Sequence, residues 1–250
     1  MIIDTHAHYD DIAFDEDRES ILDKLKEDYI IVNIASDKKS IYKTIELVNN
    51  NKNFYGALGI HPYSVDEYES SKSSILDNLL LEKIVAIGEI GLDYHYENID
   101  KEYQKYVFCD QLSLAEKYKK PVVIHSRDAC SDTINILSKY NLKGIIHCFS
   151  YSKEIAREYV KLGYFIGIGG VLTFKNAKLI KEVVKDISLE NMVLETDAPY
   201  LTPTPYRGKR NESIYLEYVI DEISKIKGIE YDIVLEKLNE NAQKIYRINI

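Results

Sequence analysis

The chain opens MIIDTHAHYD (residues 1–10), and the reading of this stretch decides the fold. A short apolar run, Ile2-Ile3, gives way at once to acids and to two histidines, His6 and His8, two positions apart. Alternate side chains of a strand share a face, so His6 and His8 can reach one ion together if the strand leads into them. A polar N-terminal turn with two solvated imidazoles is the competing reading, because a motif this short occurs by chance. The rest of the chain has to discriminate.

The same order, an apolar run rich in Ile and Val followed by polar residues, recurs along the sequence. Strand-like runs fall at 2–4, 29–35, 54–60, 84–88, 121–124, 144–146, 164–168 and 192–194. Charged segments with helical spacing lie between them, at 17–28, 39–51, 72–81, 101–119, 129–140, 153–162 and 178–187. Runs that are apolar on both faces suit parallel strands covered by helices, and eight such units predict a closed (β/α)8 TIM barrel, a fold that typically takes about 250 residues. The tail from Asn211 adds two C-terminal helical segments broken at Gly228. No linker divides the chain, so residues 1–250 read as one domain. A doubly wound open sheet would need a Gly-rich loop after an early strand, and the sequence has none.

Composition narrows the function classes. Hydrophobic residues make up 45% and charged residues 29% of 250, the balance of a globular protein. There is no apolar run long enough to span a bilayer and no export signal, so no membrane association is expected and the cytoplasm is the expected location. Cys109, Cys130 and Cys148 form no C-x-x-C pair and read as free thiols. A net charge of −9 disfavours broad capture of nucleic acid. It leaves room for a local anion site, since bound divalent cations reverse the potential in one pocket.

Position is the informative feature of the polar residues. Of six histidines, His6, His8, His61, His125 and His147 fall at or just past the end of a predicted strand, and none lies in a predicted helix. Glu89 and Asp93 follow the fourth run, and Glu195 and Asp197 the eighth. A barrel gathers those ends on one rim, the face where active sites are built. Histidines and acids used only as satisfied core residues would be scattered over helices and loops as well. Imidazoles and carboxylates without a thiolate pair suit Zn, Mn, Ni, Co or Fe, and Mg where carboxylate and water dominate. So many donors exceed the needs of one catalytic ion and point to two ions sharing a carboxylate.

Seven blocks in order, DTHAHYD (4–10), GIHPY (59–63), AIGEIGLDY (86–94), PVVIHSRDA (121–129), HCFS (147–150), LETDAPYL (194–201) and RGKRNE (207–212), resemble the TatD family of metal-dependent hydrolases, within the wider amidohydrolase-type barrels. The resemblance spans nearly the whole chain. It implies a (β/α)8 barrel with two divalent ions: His6, His8 and Asp197 on the first, His125 and His147 on the second, and Glu89 bridging. It also implies nuclease activity, commonly described as Mg-dependent DNA hydrolysis. Two positions depart from the pattern, Tyr151 where Gly is usual and Ser213 where Pro is usual. Both are expected on the substrate side of the rim.

Asp197 is expected to act twice, as a ligand and as the group that orients or deprotonates the attacking water, so that Glu89 and Asp197 form the catalytic pair. Glu195 shares the strand parity of Asp197 one layer deeper, which suggests a supporting or core role. His61 shares the rim and is a candidate for a substrate phosphate or a water, against a packing role beside Pro62. His95, in a loop, reads equally as solvent-facing or substrate-touching. Arg127 and the cluster Arg207, Lys209 and Arg210 are candidates for clamping phosphates, against the usual fate of a short basic run in a solvated loop. Tyr63, Tyr94 and Tyr200 are candidates for stacking on bases, although packing explains most of the 21 tyrosines.

The expected substrate is single-stranded or 3′-ended DNA, cleaved with two divalent ions drawn from Mg, Mn or Zn. The competing readings are a metal-dependent esterase, amidase or lactonase, one form of which acts on an aminoacyl-tRNA ester, and a catalytically silent barrel that binds a partner.

Overall fold

The computed structural model describes residues 1–95 and 99–248; the expected domain span of 1–250 includes residues 96–98, 249 and 250, which lie outside that description. Strands and helices alternate as β1 (Ile2–Ala7), α1 (Arg18–Leu25), β2 (Tyr29–Ile34), α2 (Lys38–Asn50), β3 (Phe54–Leu58), α3 (Tyr68–Asn78), β4 (Ile84–Asp93), α4 (Lys101–Tyr118) and β5 (Val122–Arg127). They continue as α5 (Cys130–Leu137), β6 (Gly144–Ile146), α6 (Lys153–Lys161), β7 (Tyr164–Ile168), α7 (Lys178–Asp186), β8 (Met192–Leu194), α8 (Leu216–Lys227) and α9 (Tyr231–Tyr246). The eight strands form one sheet in sequence order, and each neighbouring pair is parallel. This is the expected TIM barrel.

The seam between β8 and β1 is closed by polar contacts rather than by a full ladder. His8 N–H donates to the Ala198 carbonyl at 2.7 Å and Asp197 N–H to the His6 carbonyl at 2.9 Å. Below them Asp4, wholly buried, accepts from Thr196 N–H at 3.0 Å and from the hydroxyls of Thr196 and Ser213, each at 2.6 Å. Burial outweighs these bonds and raises its carboxyl to about 6. The seam thereby fixes Asp197 against His6.

Strand parity divides the core. Ile3, Val32, Val123, Ile145 and Val193 pack inside the barrel, while alternate residues such as Ile31, Ile87 and Ile124 face the helical ring. The tail closes the end opposite the histidines. Ala242, Ile245 and Tyr246 of α9 join the inner cluster, and Tyr246 OH donates to the Thr5 carbonyl at 2.8 Å. Gly228, at φ 65°, ends α8 in the left-handed region and turns the chain into α9.

The largest departure from expectation is β4, which runs to Asp93 instead of ending at Gly88. Its register against β5 shifts between Ile87 and Ile90, and such a bulge re-aims the side chain beside it. Gly91 permits the close pairing: at φ 149°, a Cβ there would stand 1.9 Å from the His125 carbonyl oxygen. Glu89 therefore projects into the barrel mouth from inside a strand.

Candidate metal centre

His6 lies within β1 and His8 one residue beyond it, and their Nε2 atoms come to 3.1 Å. His8 Nδ1 donates to the Ile34 carbonyl at 2.8 Å, so Nε2 is the nitrogen that carries the lone pair once the ring is neutral. The Glu89 carboxylate divides its two oxygens. Oε2 stands 3.5 Å from His6 Nε2 and 3.9 Å from His8 Nε2; Oε1 stands 2.8 Å from His125 Nδ1, 3.6 Å from His147 Nε2 and 3.8 Å from His61 Nε2. Asp197 Oδ1 completes the group at 3.4 Å from His8 Nε2, 3.7 Å from His6 Nε2 and 3.9 Å from His147 Nε2. Its backbone, at φ 60°, sits in the left-handed region, the kind of sparsely populated conformation that clusters at active sites.

The electrostatics follow from burial and crowding. Burial opposes charge on His8, but the hydrogen bond and charge of Asp197, with Asp10 and Glu89, bring its imidazole up to about 9. His147, equally buried, is held up at about 10 by Glu195, Glu89 and Asp197. Burial and the charge of His125 push His61 down to about 3. Burial alone would raise Glu89; the surrounding histidines, His147 and His61 foremost, hold it well below the usual carboxylate range. Buried acids here are compensated by imidazolium, the role a divalent cation would take.

The donor set fits such an ion. Two imidazole Nε2 atoms face each other across 3.1 Å, with carboxylate oxygens of Asp197 and Glu89 at 3.4 to 3.9 Å. Ligands bonded at about 2.1 Å around a tetrahedral ion stand roughly 3.4 Å apart. Two groups share Glu89, one with His6 and His8 and one with His61 and His125, and a third joins His147 and Asp197 with Cys148.

The family described as TatD related DNase matches residues 3–247. The chain belongs to the TatD family. It is 40% identical over 255 residues, all of both chains, to the uncharacterized metal-dependent hydrolase YabD of Bacillus subtilis. The crystal structure of YjjV, a TatD homolog of Escherichia coli K12, superposes with a TM-score of 0.93 at 28% identity, covering 99% of this chain and 98% of that one. A TatD family hydrolase of Entamoeba histolytica superposes with a TM-score of 0.87 at 25% identity, over 98% and 97%. The chain is thus a metal-dependent hydrolase of the TatD family, and among its described residues no helix is long and apolar enough to cross a membrane.

The TatD barrel brings His6, His8, His61, Glu89, His125, His147 and Asp197 into one cluster; it does not bring every candidate there. Arg210 is engaged elsewhere. Its guanidinium donates to both Asp17 carboxylate oxygens at 2.7 Å, to Glu212 at 3.1 Å and to the Ala13 carbonyl at 2.7 Å, and lies over the Phe14 ring. That geometry pins the β8 loop to the β1 loop, so the guanidinium expected to clamp phosphate already has carboxylate partners. The Tyr94 hydroxyl donates to Asp132 at 2.7 Å and Lys101 lies over its ring. Arg207 stacks on Phe174 at 4.1 Å, and His95 pairs with Asp128 at 3.2 Å.

Both departures from the family pattern make contacts within the fold. The Tyr151 hydroxyl contacts Ser126 Oγ at 3.1 Å and accepts from Ala129 N–H. Ser213 supplies a hydroxyl to Asp4 and an N–H to Tyr9, and proline has neither donor.

Three further residues join the site. Asp93 Oδ2 lies 2.8 Å from His125 Nε2, fixing the ring from the side opposite Glu89. Lys39 and Lys43 line the open cleft of about 710 Å³ with Arg127, His61 and Asp197. The lysines sit on α2, in the charged segment 39–51 that the sequence marks as helical, so the strand-end rule that found the histidines did not single them out. Glu195 lies behind the cluster. Its Oε1 accepts Cys148 N–H at 2.6 Å and stands 3.3 Å from His147 Nδ1.

Proposed function

We propose that this TatD protein hydrolyses phosphodiester bonds of DNA, at ends or in single strands, with two divalent ions drawn from Mg, Mn or Zn. The observation that carries the reading is the division of Glu89: one carboxylate oxygen faces His6 and the other faces His125. On this reading His6, His8 and Asp197 hold one ion, His125 and His147 hold the other, and Glu89 bridges. Bound there, the ions supply Lewis acidity, a lowered pKa for water and compensation for phosphate charge.

The protein's own groups do the rest. The Asp197 side chain, 17% exposed, accepts a proton from the water that attacks phosphorus, a carboxylate's natural part in general base catalysis. A bond forms from the water oxygen to phosphorus, the ester P–O bond breaks with its electron pair going to the leaving oxygen, and Asp197 returns the proton to that oxygen. His61, kept neutral by burial, and Arg127 hold non-bridging phosphate oxygens. Lys39 and Lys43 hold the adjoining strand in the cleft. An acidic chain that presents Lys39, Lys43 and Arg127 together in one cleft favours ends and single strands over duplex interiors.

The test is Glu89→Gln assayed on oligonucleotides, aryl phosphodiesters and aminoacyl esters with Mg, Mn and Zn added separately. The expected result is oligonucleotide hydrolysis by the natural protein and none by the variant, with metal content reduced and fold retained. Hydrolysis confined to aminoacyl or carboxylic esters overturns the phosphodiester reading. Unaltered turnover and metal content in Glu89→Gln overturn the bridge.

A further inference from the structure

Asp197 borders two cavities. On one side lies the cleft that carries Lys39, Lys43 and Arg127. On the other lies a pocket of about 230 Å³ between the ends of β6, β7 and β8, walled by Phe149, Val171, Ala177, Leu179 and Leu201. A phosphodiester reacting beside Asp197 therefore has an open polar cleft for one arm, where Lys39, Lys43 and Arg127 stand among Asp10, Asp11 and Asp37, and an apolar pocket for the other.

The chemistry of the two sides differs in a way that sorts the substrate. The cleft offers compensation to an anionic backbone. The apolar walls strip water from whatever enters, a cost that a flat uncharged ring does not carry and a phosphate does, and Lys178 in the lining is opposed there by Glu195 and Asp197. An apolar cavity of about 150 Å³ already admits benzene, and the larger pocket takes one heteroaromatic ring system. At its edge stand Ser150 and Asn176, a hydroxyl and an amide suited to the polar edge of a ring; asparagine is a good partner for base edges.

We propose that this pocket receives the terminal nucleobase of a strand whose backbone lies in the cleft, which makes it a specificity subsite for the end of the chain. The proposal rests on the phosphodiesterase reading, and it states what that reading leaves open: which part of the substrate is recognised without charge. The phosphates are held on the side of Arg127 and the base on the side of Val171, with the scissile bond at Asp197 between them.

The experiment compares kcat/KM for two single-stranded oligonucleotides identical except that one carries a terminal abasic sugar, in the natural protein and in Val171→Trp and Ala177→Phe, two independent ways of filling the pocket. Circular dichroism verifies each fold. Loss of contacts in an apolar specificity pocket is worth about 10-fold or more, so the ratio of natural to abasic substrate is expected to be at least about 10 in the natural protein and close to 1 in whichever variants fold. In parallel, methyl resonances of Val171, Leu179 and Leu201 are titrated with thymidine and with leucine amide. Thymidine is expected to move them and leucine amide to leave them in place.

A ratio near 1 in the natural protein, a ratio that survives in both variants, or methyls that answer to leucine amide rather than thymidine overturns the proposal; the last result assigns the pocket to an amino-acid side chain. If no oligonucleotide is cleaved with any metal, the phosphodiesterase reading fails on its own, and the methyl titration alone decides the pocket.

Discussion

Replacing Gly167 by alanine tests how the floor of the centre supports its rim. A Cβ on Gly167 would stand 2.3 Å from Glu195 Oε2, 2.6 Å from Cδ and 2.8 Å from Oε1. Ordinary contact begins near 3.4 Å, so the carboxylate must retreat by about 1 Å in a close-packed interior with little room to yield. Oε1 currently accepts Cys148 N–H at 2.6 Å and faces His147 Nδ1 at 3.3 Å. A retreat of that size breaks the first and misaligns the second.

Each buried donor left unpaired costs about 1–3 kcal/mol, while alanine recovers roughly 0.5–1 kcal/mol of backbone entropy in a strand. For the one donor left unpaired, the net expectation is a loss of up to about 2.5 kcal/mol in stability. Metal affinity should fall about 10- to 100-fold, the usual consequence of removing the group that orients a ligating histidine. Urea unfolding of the metal-free protein and calorimetric titration with Mn and Zn read the two effects. Glu195→Asp withdraws the carboxylate by one methylene, so the double variant should be better than the sum of its single effects, a coupling that a double-mutant cycle measures. Unchanged affinity in Gly167→Ala, or strict additivity in the cycle, would refute the role given to Glu195.

Three other expectations follow from the same structure. Asp4, raised from 3.8 to about 6 by burial, binds its proton more tightly folded than unfolded. Its contribution is therefore complete below pH 4 and declines as pH rises to about 6, by on the order of 3 kcal/mol. The stability advantage of the natural protein over Asp4→Asn should shrink from pH 4 to 7 in urea unfolding, and a gap that widens with pH would contradict this. Arg210→Ala should lower the melting temperature while leaving kcat/KM within about 3-fold, whereas Arg127→Ala should raise KM at least about 10-fold with little loss of stability, as surface substitutions allow. Added metal should raise the melting temperature with concentration, by the equivalent of about 2.7 kcal/mol at 100 times Kd, and Glu89→Gln should abolish that shift.

The barrel was legible because its strands are apolar on both faces and turn polar only at one end. The runs predicted at 144–146, 164–168 and 192–194 coincide with β6, β7 and β8. The end of β4 was hidden because GEIGLD, with two glycines and two acids, lacks the residues that mark a strand; it is extended because it pairs with β5 through a bulge. His6, His8, Glu89, His125, His147 and Asp197 could be placed together from strand ends alone, since the barrel supplies their convergence.

Partners set by loop geometry could not be placed. Arg210 meets Asp17, distant in the sequence, and Tyr94 meets Asp132; no local pattern specifies either. Asp93 could be placed on the rim after the fourth run, but its contact with His125 Nε2 depends on the extension of β4. Lys39 and Lys43 had the right position after β2, and their place in a helical charged segment concealed it.

The most direct measurement is the metal-loaded crystal structure, with anomalous scattering from Mn or Zn and stoichiometry by elemental analysis of the same protein. The two-ion reading predicts two peaks per chain, one against His6, His8 and Asp197 and one against His125 and His147, with Glu89 between them. A single ion, or ions bound away from Glu89, would contradict it.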